Sequence, residues 1–166
     1  MLDTKIKMNL KKYFIDFSII FLIFLFDRVT KILVINSLNS NSEISYQLNS
    51  YIDLNLIWNS GIAFGLLSFD EIKYYNLLTI IIILVTAVIF WMIIKTEGIE
   101  KIGFMMIFGG SLGNIFDRIY YSSVPDFIDI HINNFHWFIF NVADIFISLG
   151  IILLICLEFY LKKKYD

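Results

Sequence analysis

The run Gly109-Gly110-Ser111-Leu112-Gly113-Asn114-Ile115-Phe116-Asp117-Arg118 decides how the chain is read. It fits a helix on which Gly110, Asn114 and Asp117, at i, i+4 and i+7, share one face. Gly109, Gly110 and Gly113 would admit a neighbouring helix at short range, as small residues do in membrane bundles. Downstream lie Val124-Pro125-Asp126-Phe127-Ile128 and Phe140-Asn141-Val142-Ala143-Asp144. Together these stretches set Asp117, Asp126, Asp144, Asn114, Asn141 and Arg118 in or beside apolar sequence. Ionisable groups at membrane depth are costly, rare and usually functional.

Outward from this stretch the chain is uniformly apolar. Of 166 residues, 58% are hydrophobic, against roughly 45–50% in a soluble domain, and the mean hydropathy is +0.76. One Pro and one Cys leave neither a disulfide framework nor a cysteine metal site. The net charge of −2 says little about partners. The expected architecture is all-α: a four-transmembrane-helix bundle with a small extracytoplasmic β-sheet and loop cradle. Residues 1–166 would form one membrane domain, with spans at 13–35, 76–95, 101–119 and 139–161 and outer loops at 36–75 and 120–138.

The first span follows a basic segment (Lys5, Lys7, Lys11, Lys12) and resembles a signal peptide. No small-x-small cleavage site follows, however, and Asp27-Arg28-Val29-Thr30-Lys31 leads into Ile32–Ile35, so an uncleaved helix is expected. Asp27 and Lys31, four apart, would share a face and hold the fold. Period-two alternation at residues 44–49, 52–58 and 127–132 predicts strands, and Asn133-Asn134 a turn. Leu77–Ile94 is an uncharged run of spanning length. Asn141 is the expected N-cap of the last helix.

Nine lysines lie in the N-terminus, the 95–101 connection and the C-terminus, and one in the two remaining loops. The positive-inside rule makes the first set cytoplasmic. Four spans then gather Asp27, Arg118, Asp126, Asn141 and Asp144 at the outer leaflet. Two carboxylates sharing a desolvated site cannot both ionise easily, so one could activate water while the other donates a proton. Asp126 and Asp144 are the candidate pair, with Asp144, in a helix's first turn, the preferred anion. The competing reading makes the aspartates ion pairs between helices, with Asp117 beside Arg118 the best example. Asn59, Asn114 and Asn141 would either orient a peptide backbone or tie helices together. His131 and His136 with Asp129 form a thin metal-ligand set on an exposed loop. Ser111 lacks a base, and Cys156 sits deep in an apolar run. A transporter or proton-conducting bundle would use Asp27, Lys31, Asp117 and Asp144 as a relay; a structural scaffold would need no aspartate.

Five segments occur in order: D-x-x-T-K at Asp27–Lys31, N-x-G-x-A-F at Asn59–Phe64, G-G-x-x-G-N-x-x-D-R at Gly109–Arg118, D-F-I at Asp126–Ile128 and F-N-x-A-D at Phe140–Asp144. With four spans, this order resembles the lipoprotein signal peptidase family, signal peptidase II. The resemblance implies an intramembrane aspartic endopeptidase of bacterial inner membranes that removes the signal peptide from diacylglyceryl-modified prolipoproteins. It implies Asp126 and Asp144 as the catalytic dyad and Asn59, Asn114, Arg118 and Asn141 as polar support. Asp117 is then structural, or the rival for the second catalytic place. The loop at 36–72 would embrace substrate. A monomer is expected, in contact with membrane lipids, with no cofactor, metal or nucleic acid. The chain departs from the family pattern at Ser122 (often Gly), Pro125 (often Val) and Phe138 (often Pro), none of them a carboxylate. Pro125 also biases Val124 towards extended backbone.

Overall fold

A computed structural model describes residues 2–41, 45–61, 72–133 and 135–165. The order is α1 (Leu2–Asn41), β1 (Ser45–Asn49), β2 (Ile52–Asn59), α2 (Ile72–Lys95), α3 (Ile99–Tyr121), β3 (Val124–Ile132), β4 (Phe135–Phe140) and α4 (Val142–Tyr165). The expected turn and small residues at Ile62–Gly65 lie outside the described residues.

The apolar runs become helices because a helix satisfies its own backbone groups where no water can. In α2 the polar side chains do the same: Thr79 and Thr86 donate to the carbonyls of Tyr75 (3.0 Å) and Ile82 (2.8 Å) one turn back. Among the described residues two helices are long and apolar enough to cross a membrane, Lys73–Lys95 and Val142–Lys162. α3 packs against each of the other three helices. The small residues explain how closely: a Cβ on Gly110 would lie 2.5 Å from the carbonyl oxygen of Ala143 in α4, and one on Gly113 would collide with the Asp27 carboxylate of α1.

The strands form one antiparallel sheet in the order β1-β2-β3-β4. The sequence predicts β1, β2 and β3 but treats the two loops as separate. The structure joins them, pairing Asn59 with Val124 and Ile57 with Asp126 across β2 and β3. β4 is a second difference. Phe135–Phe140 is aromatic without alternation, so period two gives no signal, although aromatic content favours strands. The fourth helix starts at Val142, directly after its expected N-cap Asn141, because β4 occupies the residues before it. α1 and α2 also exceed their predicted spans, starting at Leu2 and Ile72. Asn133 supplies the expected turn, with φ 53°, a conformation asparagine tolerates. Val34, Phe127 and Val142 are buried together, with Leu54, Leu56, Ile128 and Phe146 against them. This small core seats the sheet on the ends of α1 and α4.

Candidate active site

The site is built on the start of α4. Asn141 caps the helix: its Oδ1 accepts from the Asp144 N–H (3.1 Å), and Asp144 Oδ2 accepts from the Asn141 N–H (3.1 Å). This is a reciprocal capping box with Asp in the usual Glu place. The Ala143 N–H, which no capping side chain of α4 reaches, donates to Asp27 Oδ1 of α1 at 3.0 Å. The helix end thus holds Asp144 by its own cap and docks on α1.

Asp126 is presented by β3 and is 3% exposed, against 9% for Asp144. Asn141 Nδ2 donates to its Oδ1 (2.6 Å) and Asn59 Nδ2 to its Oδ2 (2.8 Å). Both amides are fixed in orientation, because Asn59 Oδ1 accepts from the Gly61 N–H (2.8 Å) and Asn141 Oδ1 from the Asp144 N–H. Each must therefore turn an N–H towards Asp126. Burial, and secondarily the neighbouring Asp144 charge, push the Asp126 carboxyl up from the ordinary 3.8 to about 6, while the two amides oppose the rise. Asn141 touches both carboxylates.

Behind the pair lies a buried ionic cluster. Asn114 Nδ2 donates to Asp144 Oδ1 (2.8 Å), and its Oδ1 accepts from Lys31 Nζ (2.9 Å). Lys31 also donates to Asp117 (2.6 Å) and Asp27 (3.0 Å). Arg28 donates to Asp117 (2.7 Å) and Asp27 (2.9 Å). Two cations and two anions make the cluster formally neutral, as burial requires. The expected Asp27–Lys31 pair is present, whereas the expected Asp117–Arg118 pairing is corrected. Asp117 is ion-paired between helices, but to Arg28 and Lys31 of α1, because the α1 face carries both cations to it while Arg118 reaches the Gly61 carbonyl. Arg118 donates to the Gly61 carbonyl and stacks 5.5 Å over the Tyr75 ring. Its Nε and Nη1 are buried without a hydrogen-bond partner among the described residues. Arg28 carries no sequence signal beyond standing next to Asp27.

The structure thus brings Asp126, Asp144, Asn59, Asn114 and Asn141 into one hydrogen-bonded group, linked to Asp27, Lys31 and Asp117, with Arg118 joined through Gly61. An apolar cavity of about 370 Å³ lined by Phe138, Phe140, Asp144, Ile145, Ser148 and Leu149 opens beside it. The histidines also differ from expectation: His131 is buried, and its ring stacks on that of the exposed His136. Cys156 is exposed on α4.

Residues 19–160 match the signal peptidase (SPase) II family. Similar relatives, each named lipoprotein signal peptidase, come from Pelagibacter ubique (44% identical, covering 95% of both chains) and Thermodesulfovibrio yellowstonii (40% identical, 89% of this chain and 96% of the other). A third is from Francisella tularensis subsp. novicida (40% identical, 72% of this chain and 77% of the other). Two solved bacterial membrane enzymes share the fold. One has a TM-score of 0.73 at 26% identity, with 91% of each chain covered, and the other 0.71 at 28%, with 86% and 91% covered. A peptidase ancestry displaces the transporter and scaffold readings. With 142 matched positions, relatives at 40% identity or more, and the fold of membrane enzymes, the chain belongs to the signal peptidase II family of peptidases.

Proposed function

We propose that the chain is an intramembrane aspartic endopeptidase in which Asp126 and Asp144 jointly hydrolyse the bond releasing the signal peptide from a diacylglyceryl-modified prolipoprotein. The observation that carries this reading is Asn141, which holds both buried carboxylates at once. Asp144, at a helix N-terminus and accepting two N–H groups, is the ionised member and takes a proton from water. Asp126, with its raised affinity for a proton, donates to the scissile carbonyl oxygen as the hydroxide adds. Asp117, ion-paired on both sides, is structural. Arg118 offers N–H groups of its Nε and Nη1, which have no partner among the described residues, to a substrate carbonyl, where fixed donors stabilise developing charge. The apolar cavity beside Asp144 receives lipid or side-chain bulk of the precursor.

In this reading α1 and α3 span the bilayer together with α2 and α4. Their charges bar them on composition, yet Asp27, Arg28, Lys31 and Asp117 are paired and buried, which removes the cost of immersion. Lys12 reaches Glu97 at 2.5 Å and Lys101 reaches Asp16, which supports one common side for the N-terminus and the 95–101 connection. The lysine distribution makes that side cytoplasmic. The dyad then faces the outer leaflet of a bacterial inner membrane, where a lipid-anchored precursor presents its scissile bond, and one chain suffices.

The test is cleavage of a lipidated precursor by purified Asp126→Asn and Asp144→Asn variants. Both should unfold at temperatures near the parent's yet lose at least about 10³-fold in rate, as removing one member of a concerted catalytic set does. Retained cleavage in either folded variant contradicts the proposal.

A further inference from the structure

A second polar cluster lies on the sheet and is not used by the proposed hydrolysis. Asp129 and His131 stand two apart on β3, Asp53 opposes Asp129 on β2, and His136 opposes His131 on β4. Nδ1 of His136 lies 2.8 Å from Asp129 Oδ2, and Nδ1 of His131 lies 3.9 Å from Asp53 Oδ2. Ligand atoms of Asp129, His131 and His136 all fall within 4.8 Å of one another. Their surroundings leave them unsatisfied. Asp129 Oδ1, Asp53 Oδ1 and His131 Nδ1 are buried and make no hydrogen bond among the described residues, Asp129 being 1% and His131 8% exposed. Buried polar atoms without partners cost about 1–3 kcal/mol each, so a group of three calls for an explanation.

We propose that Asp129, His131 and His136, with Asp53 as fourth ligand, bind one zinc-class divalent cation that ties β2, β3 and β4 together. The donor set decides the class. Two imidazole nitrogens with one or two carboxylates suit tetrahedral zinc, whereas calcium and magnesium take oxygen ligands. Tetrahedral zinc bonds of roughly 2.0–2.2 Å would require the two stacked imidazole rings to tilt until a nitrogen of each points at the ion. The ion would satisfy the three orphaned atoms and replace two partial histidine–aspartate pairs with one closed site. At ~3.3 Å per residue Asp129 and His131 lie about 10 and 17 Å along β3 from Asp126, so the ion would act on the strand rather than on the reaction.

The experiment uses the full-length, tag-free chain in detergent, stripped with chelator and dialysed against Zn²⁺ near neutral pH. One zinc per chain and a rise of a few degrees in unfolding temperature are expected, since a ligand binding only the folded state stabilises it. Excess Mg²⁺ or Ca²⁺ should not displace the zinc. His136→Ala is the informative variant, because His136 is the exposed member of the cluster and its truncation opens no cavity in the core. It should bind zinc at least the roughly 10–100-fold more weakly that losing even an outer-sphere partner costs, and lose the thermal shift. Substoichiometric zinc in the parent, displacement by Mg²⁺ or Ca²⁺, or undiminished binding in folded His136→Ala overturns the proposal.

Discussion

At the scale of single residues, Asp126 sets a pH dependence whose sign can be worked out. Its folded value, about 6, exceeds the ordinary 3.8. Below the lower value both folded and unfolded chains hold the proton. Between the two, only the folded chain does, so each rise in pH favours unfolding. Stability should fall by up to about 3 kcal/mol as pH rises from about 4 to about 6, and Asp126→Asn should flatten that slope. Thermal unfolding across this range checks it; an unchanged slope in the variant would assign the loss to another group. Activity has its own sign. With Asp126 as the proton donor, kcat/KM should decline as pH rises through about 6, and kcat should persist to higher pH as bound substrate dries the pair. A kcat/KM that instead climbs through that pH would exchange the roles of the two aspartates.

At the scale of elements, the most informative position is Ser122, where α3 turns into β3. It ends the helix in a left-handed conformation, φ 56° and ψ 23°, which costs a non-glycine residue about 1–2 kcal/mol. The resemblance implies glycine there, and the backbone explains why. Ser122→Gly should raise the unfolding free energy by about 1 kcal/mol without altering cleavage; a lower unfolding midpoint would contradict this. The next residues were legible for related reasons. Pro125 biases Val124 to extended backbone, and β3 begins at Val124. Asn141, followed three residues on by Asp144 and then an apolar run, reads as a cap, and the reciprocal bonds are present. β4 was not legible, because Phe135–Phe140 shows no period. Nor was the burial of His131, which depends on two distant loops sharing one sheet.

At the scale of the whole molecule, Asp27, Arg28 and Lys31 of α1 and Asp117 of α3 form one neutral cluster that α4 docks against. Sequence gives the i, i+4 relation of Asp27 and Lys31. It cannot give the pairing of Asp117 with Arg28, since partners 89 residues apart are set by which helix faces meet. Lys31 is the hinge of the cluster, touching Asp27, Asn114 and Asp117. Lys31→Met should therefore destabilise by on the order of 3–5 kcal/mol, by leaving like charges buried together. Adding Asp117→Asn should restore part of that loss, as denaturant titration in detergent would measure. Two independent, additive losses would mean that the cluster is not one unit.

The account rests on two carboxylates acting as one catalyst. Single-turnover cleavage of a lipidated precursor by Asp126→Asn, Asp144→Asn and the double variant tests this directly. Groups that act together are not additive, so the double variant should be no slower than the slower single variant. Losses that multiply in the double variant, or cleavage surviving in either single one, would contradict it.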